Sequence, residues 1–301
     1  MWRVLLLLPC AVWAQTTLAT AERLIAAGRF AQALDVLGQS PSATVHWHVL
    51  ASQAYDGIGQ AAHAVAEAEA ALAADPHSEA AHLQLGQIFL SNNTPLAARD
   101  IFAEALTLFP ESFLLRLGEG LALKGLQRYD EAAKELRRCL AMQPSSGIAF
   151  DALGTVLLNS SGFEGLLRLA EDYRRRNPAD YRGYYYVAAA RDGLRLPDGE
   201  TLTLLDQAIE RNPDFAASYG LKGKVLLRRD SLPEAVSALQ RAVALRSDHV
   251  TSHVALANAY RKLGRATQAA REFQTVRDLN EAQRTPPPSL VYHRGIGPAR
   301  P

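Results

Sequence analysis

EAAHLQLGQIFLSNNTPLAARDIFAEALTLFP, residues 79–110, closes on a proline that returns at a fixed interval. Pro76, Pro110, Pro144 and Pro178 stand 34 residues apart, and Pro213 follows after 35. A period of this size marks a stacked repeat, and 34 residues suit one helix–turn–helix unit. Each proline would stop a second helix, because it lacks an N–H and clashes with the preceding turn. Helix formers dominate and alternating strand-like runs are absent, so the expected class is all-α.

Numbered so that the closing proline is position 32, residues 79–110 place Leu85 at 7, Gly86 at 8, Phe89 at 11, Ala98 at 20, Phe102 at 24 and Ala105 at 27. The same phase gives Gly120, Leu123, Tyr129, Ala132, Leu136 and Cys139 in 113–144. It gives Gly223, Leu226, Ala235, Leu239 and Ala242 in 216–247, and Leu256, Ala257, Tyr260, Gly264, Ala269, Phe273 and Val276 in 250–281. In 45–76 it gives Tyr55, Gly59, Ala64, Ala68 and Ala71. This pattern resembles the tetratricopeptide-repeat family. The resemblance implies a right-handed α-solenoid of stacked antiparallel helix pairs. A small residue at 8 is expected to face Ala at 20, with large residues at 7, 11 and 24 between repeats. One pair cannot cover its own apolar faces, so the stack is the smallest stable object.

About eight repeats are expected between residues 15 and 284: a degenerate first at 15–41, then 45–76, 79–110, 113–144, 147–178, 181–213, 216–247 and 250–281. The fifth is irregular. Leu166 occupies small position 20, Ala170 large position 24 and Tyr173 small position 27. A large residue at 20 costs about 1–3 kcal/mol if nothing moves, so a locally shifted helix pair is expected. The sixth carries the extra residue, placed between its helices by the turn chemistry of 195–199. Residues 1–14 read as a signal peptide cleaved after Ala14, so the chain is expected to be periplasmic or secreted. The rival reading is a lipoprotein modified at Cys10, the one case that brings a membrane into play. The tail 285–301, with three consecutive prolines from Pro286, reads as extended and disordered. It lies over the last repeat's apolar face, or that face meets a partner or a second copy.

No catalytic motif, phosphate loop or dinucleotide fingerprint occurs, so no enzyme activity and no cofactor are expected. His249 and His253 are four apart, without the glutamate and further ligands that a zinc site needs, so no metal site is expected. Cys139 at position 27 reads as a small core hydrophobe. The net charge of +1 gives little counterion-release drive, which argues against a nucleic-acid partner.

The resemblance further implies that positions 2, 5, 6, 9, 12 and 13 of each first helix line a concave groove. Candidate groove residues are therefore Leu114, Leu117 and Leu121, then Arg182, Tyr185 and Tyr186, then Lys224 and Arg228, and finally Asn258, Arg261 and Lys262. Residues 15–150 carry net −5 and residues 151–301 net +5, so the second half is expected to be basic. An extended peptide with acidic side chains or a free carboxylate would suit it, because arginine binds carboxylates bidentately. The expected function is an exported scaffold that grips a partner protein or peptide without catalysis. The alternative is a glycan- or polymer-binding accessory of an envelope enzyme complex, with Tyr184, Tyr185 and Tyr186 as sugar-stacking candidates, of which helix position puts only Tyr185 and Tyr186 on the groove.

Overall fold

The computed structural model describes residues 10–39 and 43–284, which form sixteen helices joined by turns, with no strand among the described residues. The tail 285–301 and the first nine residues of the expected signal segment lie outside them. Two compact units divide the described chain, one ending at Glu135 and the other beginning at Leu136. The N-terminal unit holds α1 (Cys10–Ala26), α2 (Phe30–Leu37), α3 (Val45–Gly57), α4 (Ala61–Ala74), α5 (Glu79–Ser91), α6 (Pro95–Leu108) and α7 (Phe113–Gly125). The division falls within α8 (Tyr129–Met142). The C-terminal unit holds α9 (Gly147–Asn159), α10 (Phe163–Arg176), α11 (Tyr181–Gly193), α12 (Asp198–Arg211), α13 (Ala216–Arg228), α14 (Leu232–Leu245), α15 (Val250–Lys262) and α16 (Ala266–Arg284).

Local chemistry sets these boundaries. The residue before each closing proline is pushed out of the helical region. Asp75 (φ −145°), Phe109 (φ −126°), Asn177 (φ −129°) and Asn212 (φ −143°) end their helices in this way. Two residues past the proline, an oxygen-bearing side chain caps the next helix. Ser78, Ser112 and Ser146 accept from the backbone N–H groups of Ala81, Leu115 and Ala149, and Asp180 accepts from that of Arg182. In the seventh repeat Ser247 replaces the proline, yet Arg246 (φ −142°) still stops α14. In the eighth, Glu281 stands there and α16 runs on to Arg284, 19 residues against 14 for α14.

The turn inside each repeat closes by one device. A residue in the left-handed region ends the first helix, and the next N–H bonds back to the carbonyl five residues earlier. Gly59, Asn93, Gln127, Ser161, Arg195, Asp230 and Gly264 hold this position. The closing bonds include Gln60 N–H to Tyr55 O at 2.8 Å and Thr94 N–H to Phe89 O at 2.8 Å. In the sixth repeat the bond from Leu196 N–H to Arg191 O (3.0 Å) closes the turn, and the additional residue, Pro197, follows it.

Within each unit every helix packs on its sequence neighbours, and the first helices also touch one another. These first-helix contacts are α1–α3, α3–α5 and α5–α7 in one unit, and α9–α11, α11–α13 and α13–α15 in the other. Second helices make no comparable contacts with one another among the described residues.

The core differs from expectation in one respect. Glycine at position 8 faces the large residue at 24 more than alanine at 20. The Phe102 ring lies against Gly86 of its own repeat and Gly118 of the next, where any Cβ would collide with it. Leu239 sits on Gly223 in the same manner. In the fifth repeat position 24 is Ala170, too short to play this part. Tyr186 of the following repeat fills the space instead, 2.6 Å from where a Cβ on Gly154 would stand. Tyr173 stacks on Phe150, with centroids 3.7 Å apart and planes within 4°, and its hydroxyl donates to Asp180 at 2.7 Å. Leu166, Ala170 and Tyr173 are all buried, and α10 packs more extensively on α11 than on its own partner α9.

Gln127 is an exposed L-residue held at φ 59°. Gln127→Gly removes the left-handed penalty at some entropic cost and is expected to stabilise the chain by about 0.5–1 kcal/mol. Urea unfolding measures it; an unchanged or lower midpoint would show that the side chain offsets the strain.

Candidate binding face

The expected groove residues separate into surface and core. In the N-terminal unit Leu114 is 50% exposed and Leu121 half-buried, so both present apolar surface. Leu117 is buried, with α5 packed against α7, and offers no surface. In the C-terminal unit Tyr186 is a core residue, for the reason given above: its ring occupies the hole left by Ala170. Its hydroxyl donates to Asp151 at 2.9 Å and lies 3.0 Å from Thr155 Oγ1. Tyr184 is also buried; its hydroxyl donates to the Pro178 carbonyl at 3.0 Å, and the Arg211 guanidinium covers its ring at 3.9 Å. Of the three consecutive tyrosines, only Tyr185 reaches the first-helix face.

That face carries a cavity of about 560 Å3. Tyr185 of α11 forms one wall. Ala217, Gly220, Leu221, Lys224 and Leu227 come from α13. Thr251, Ser252, Val254, Ala255 and Asn258 come from α15, with His249 at its N-cap. Small residues make the space: Ala217, Gly220 and Ala255 stand where larger side chains would close the seam. Gly220 has a second reason to be small, since a Cβ there would lie 2.8 Å from Ser252 Oγ. The cavity brings together Tyr185, Lys224 and Asn258 of the expected site.

Two polar groups on the cavity wall have no protein partner among the described residues: the Tyr185 hydroxyl and the Asn258 carboxamide. Burial, with the nearby Asp151 charge, pushes the Tyr185 phenol up to about 12, so it remains a neutral donor near pH 7. His249 is engaged with Ser252 Oγ at 2.6 Å, and Thr251 Oγ1 lies 3.1 Å from its other nitrogen. Burial and then the Arg246 charge lower its pKa below the usual 6.5, favouring the neutral ring. His253 holds Glu272 at 2.6 Å and the Ser247 carbonyl at 3.0 Å. Both histidines are thus spent on protein partners.

Four of the five cations expected on the basic half are already matched. Asp192 on α11 is only 5% exposed. It accepts from Lys224 Nζ at 2.9 Å and from Arg228 Nη1 at 2.6 Å. Arg228 also binds Asp198 at the start of α12. Arg182 is held by Asp180 at 2.9 Å beside the Tyr181 ring, and Lys262 by Asp230 at 2.8 Å. Arg261 is exposed, away from the cavity. Beside the cavity, the cations expected to be open to carboxylates are held by carboxylates of the chain itself. Asp192 was the residue missing from the expected set, although it stands at position 12, one of the inward positions. Its spacing from Lys224 at 9 and Arg228 at 13 of the next repeat was the available signal.

Paired helices whose first members touch one another within each unit define a helical-repeat protein. Comparison with known proteins refines the class. Family profiles described as tetratricopeptide repeat match residues 49–113 and 202–250, and another matches 116–146. A tetratricopeptide repeat protein from Parabacteroides merdae superposes with a TM-score of 0.67 at 14% identity, covering 82% of this chain and 98% of that one. A chain of the APC/C hetero-tetramer Cut9-Hcn1 gives 0.60 at 15% identity, covering 79% and 48%. In sequence the chain is similar to protein FlbA of Caulobacter vibrioides, 28% identical over 65% of this chain and 33% of that protein. It is also similar to anaphase-promoting complex subunit 7 of Mus musculus, 24% identical over 58% of this chain and 30% of the relative. The chain spans about a third of the length of these two relatives. It belongs to the tetratricopeptide-repeat family.

Asp192 titrates with a definite sign. Burial raises its carboxyl pKa, but hydrogen bonds from Lys224 and then Arg228 outweigh this and hold it below the usual 3.8. A depressed carboxylate stabilises the fold above its unfolded value and loses that contribution as pH falls through its folded value. Asp192→Asn is expected to cost about 1–3 kcal/mol at pH 7. The gap should close as pH drops below 3.8. Urea midpoints across pH 3–7 measure this; equal midpoints at pH 7 would contradict it.

Proposed function

We propose that the chain is an exported, non-catalytic scaffold that binds an extended segment of a partner protein on its first-helix face. The observation that carries this reading is the cavity of about 560 Å3 between α13 and α15, closed on one side by Tyr185. Its size falls within the roughly 300–1,000 Å3 of ligand pockets, and its mix of apolar walls with a few polar groups suits recognition. Tyrosine and leucine supply contact area at low entropic cost when already packed. The ionisable groups beside the cavity are tied in structural pairs, which suits gripping rather than proton transfer. A relative that is by name a subunit of a complex supports association with other proteins as the role. Tyr184 and Tyr186 are core residues, so a three-ring sugar platform finds no support.

Export rests on the leader pattern at residues 1–14, with Cys10 lipidation as its lesser variant. The mature protein isolated from the producing cell is expected to begin at Gln15. Mass spectrometry of the N-terminus decides this, and a retained Met1 would remove export.

Ala255→Trp fills the cavity from α15, where Ala255 also borders the core around Leu256. A partner captured by the immobilised wild-type chain from an envelope extract is expected to be lost at least tenfold with this variant, measured on protein whose helical circular dichroism matches the wild type. Undiminished capture would remove the first-helix face as the binding surface.

A further inference from the structure

The reading of this face as a binding surface leaves its ligand chemistry open, and the Asp192 network closes part of that question. We infer that Asp192 occupies the cationic subsite from within, so that the cavity between α13 and α15 selects an uncharged apolar anchor residue of the partner segment and rejects an acidic one.

Among the described residues Lys224 is the only cation on the cavity wall, and its ammonium is bonded to Asp192 at 2.9 Å. Arg228, the other cation on this part of α13, is divided between Asp192 and Asp198. Two positive and two negative groups make a set of zero net charge. Asp192 is nearly sealed from water, whereas the Lys224 side chain is 58% exposed. An incoming carboxylate would meet Lys224 in the field of a buried anion already paired with it. It would compete for that ammonium while losing its own hydration, a poor exchange for an ion. An apolar side chain meets no such opposition. It would lie against Leu221, Leu227 and Val254, and the shedding of water from both surfaces drives it in. The Tyr185 hydroxyl and the Asn258 carboxamide, the polar groups without protein partners, are both neutral. They suit an amide or hydroxyl on the ligand rather than a charge.

Two probes of similar size separate the alternatives: p-cresol, neutral at pH 7, and phenylacetate, an anion. Titration into the isotope-labelled full chain, followed by amide resonances, is expected to show p-cresol shifting Gly220, Leu221 and Ala255. Phenylacetate should bind there at least tenfold more weakly. Asp192→Asn, which leaves Lys224 without its internal carboxylate, should raise phenylacetate affinity at least tenfold and change p-cresol affinity less than twofold. Wild-type affinity for phenylacetate equal to or above that for p-cresol overturns the inference, as does a failure of p-cresol to move those amides. An Asp192→Asn chain that folds without gaining phenylacetate affinity also overturns it. If that variant does not fold, the wild-type comparison still decides, with Ala217→Trp as the second variant: it fills the cavity and should abolish the p-cresol shifts. Retained shifts would place the binding elsewhere and refute the inference. Selective p-cresol binding together with undiminished partner capture by Ala255→Trp would remove the proposed function while leaving the cavity's chemistry standing.

Discussion

A large side chain seated on a residue without a Cβ is the constraint on which the stack depends. Phe102 fits only because Gly86 and Gly118 leave room on two first helices at once. One ring thereby ties its own repeat to the next. Such contacts are dense and short-ranged, as in the interior of an organic crystal, and cannot absorb an extra methylene without movement. In the fifth repeat the large residue at 24 has become Ala170, and the hole is filled from the following repeat by Tyr186. The volume is conserved although its supplier changes. This relocation draws one tyrosine of the consecutive three out of the face and leaves Tyr185 to stand alone at the cavity edge.

The second organising interaction is electrostatic and local. Asp192 joins α11 to α13 through Lys224 and Arg228, and Arg228 carries the link on to the start of α12. A carboxylate so nearly buried tolerates its loss of water only because two charged donors replace it. The same pairs that brace the seam cancel the charge beside the cavity. Bracing and the proposed ligand preference would therefore be two effects of one set of side chains.

Much of the fold was legible in the chain. The proline interval and the phase of Gly86, Phe102 and Ala98 gave helix pairs, their order and the site of the inserted residue, because backbone stereochemistry acts locally. The binding face was legible only in part. Lys224, Asn258 and Tyr185 follow from helix position alone and do meet at one cavity. Tyr186 and Leu117 do not follow, because whether an inward position is surface or core depends on what the neighbouring helix leaves empty. The missed partner of the cations, Asp192, shows the limit of counting charge along a segment: an excess of +5 over residues 151–301 says nothing about which cations are already matched. Persistence of the stop at Arg246 without a proline has the same lesson for the backbone, since an extended residue can end a helix where no ring compels it.

The internal matching of Lys224, Arg228, Arg182 and Lys262 has a kinetic consequence. Clefts lined by one sign of charge draw in oppositely charged partners and raise encounter rates by factors of about 10 to 1,000. Where these four cations hold neighbouring carboxylates, each pair projects mainly a short-ranged dipole. On the proposed reading, a partner reaching the cavity would gain little electrostatic steering from these pairs, and its encounter rate would lie near the ordinary range of about 10⁵–10⁷ M⁻¹s⁻¹. Selectivity would then reside in how long each visitor stays.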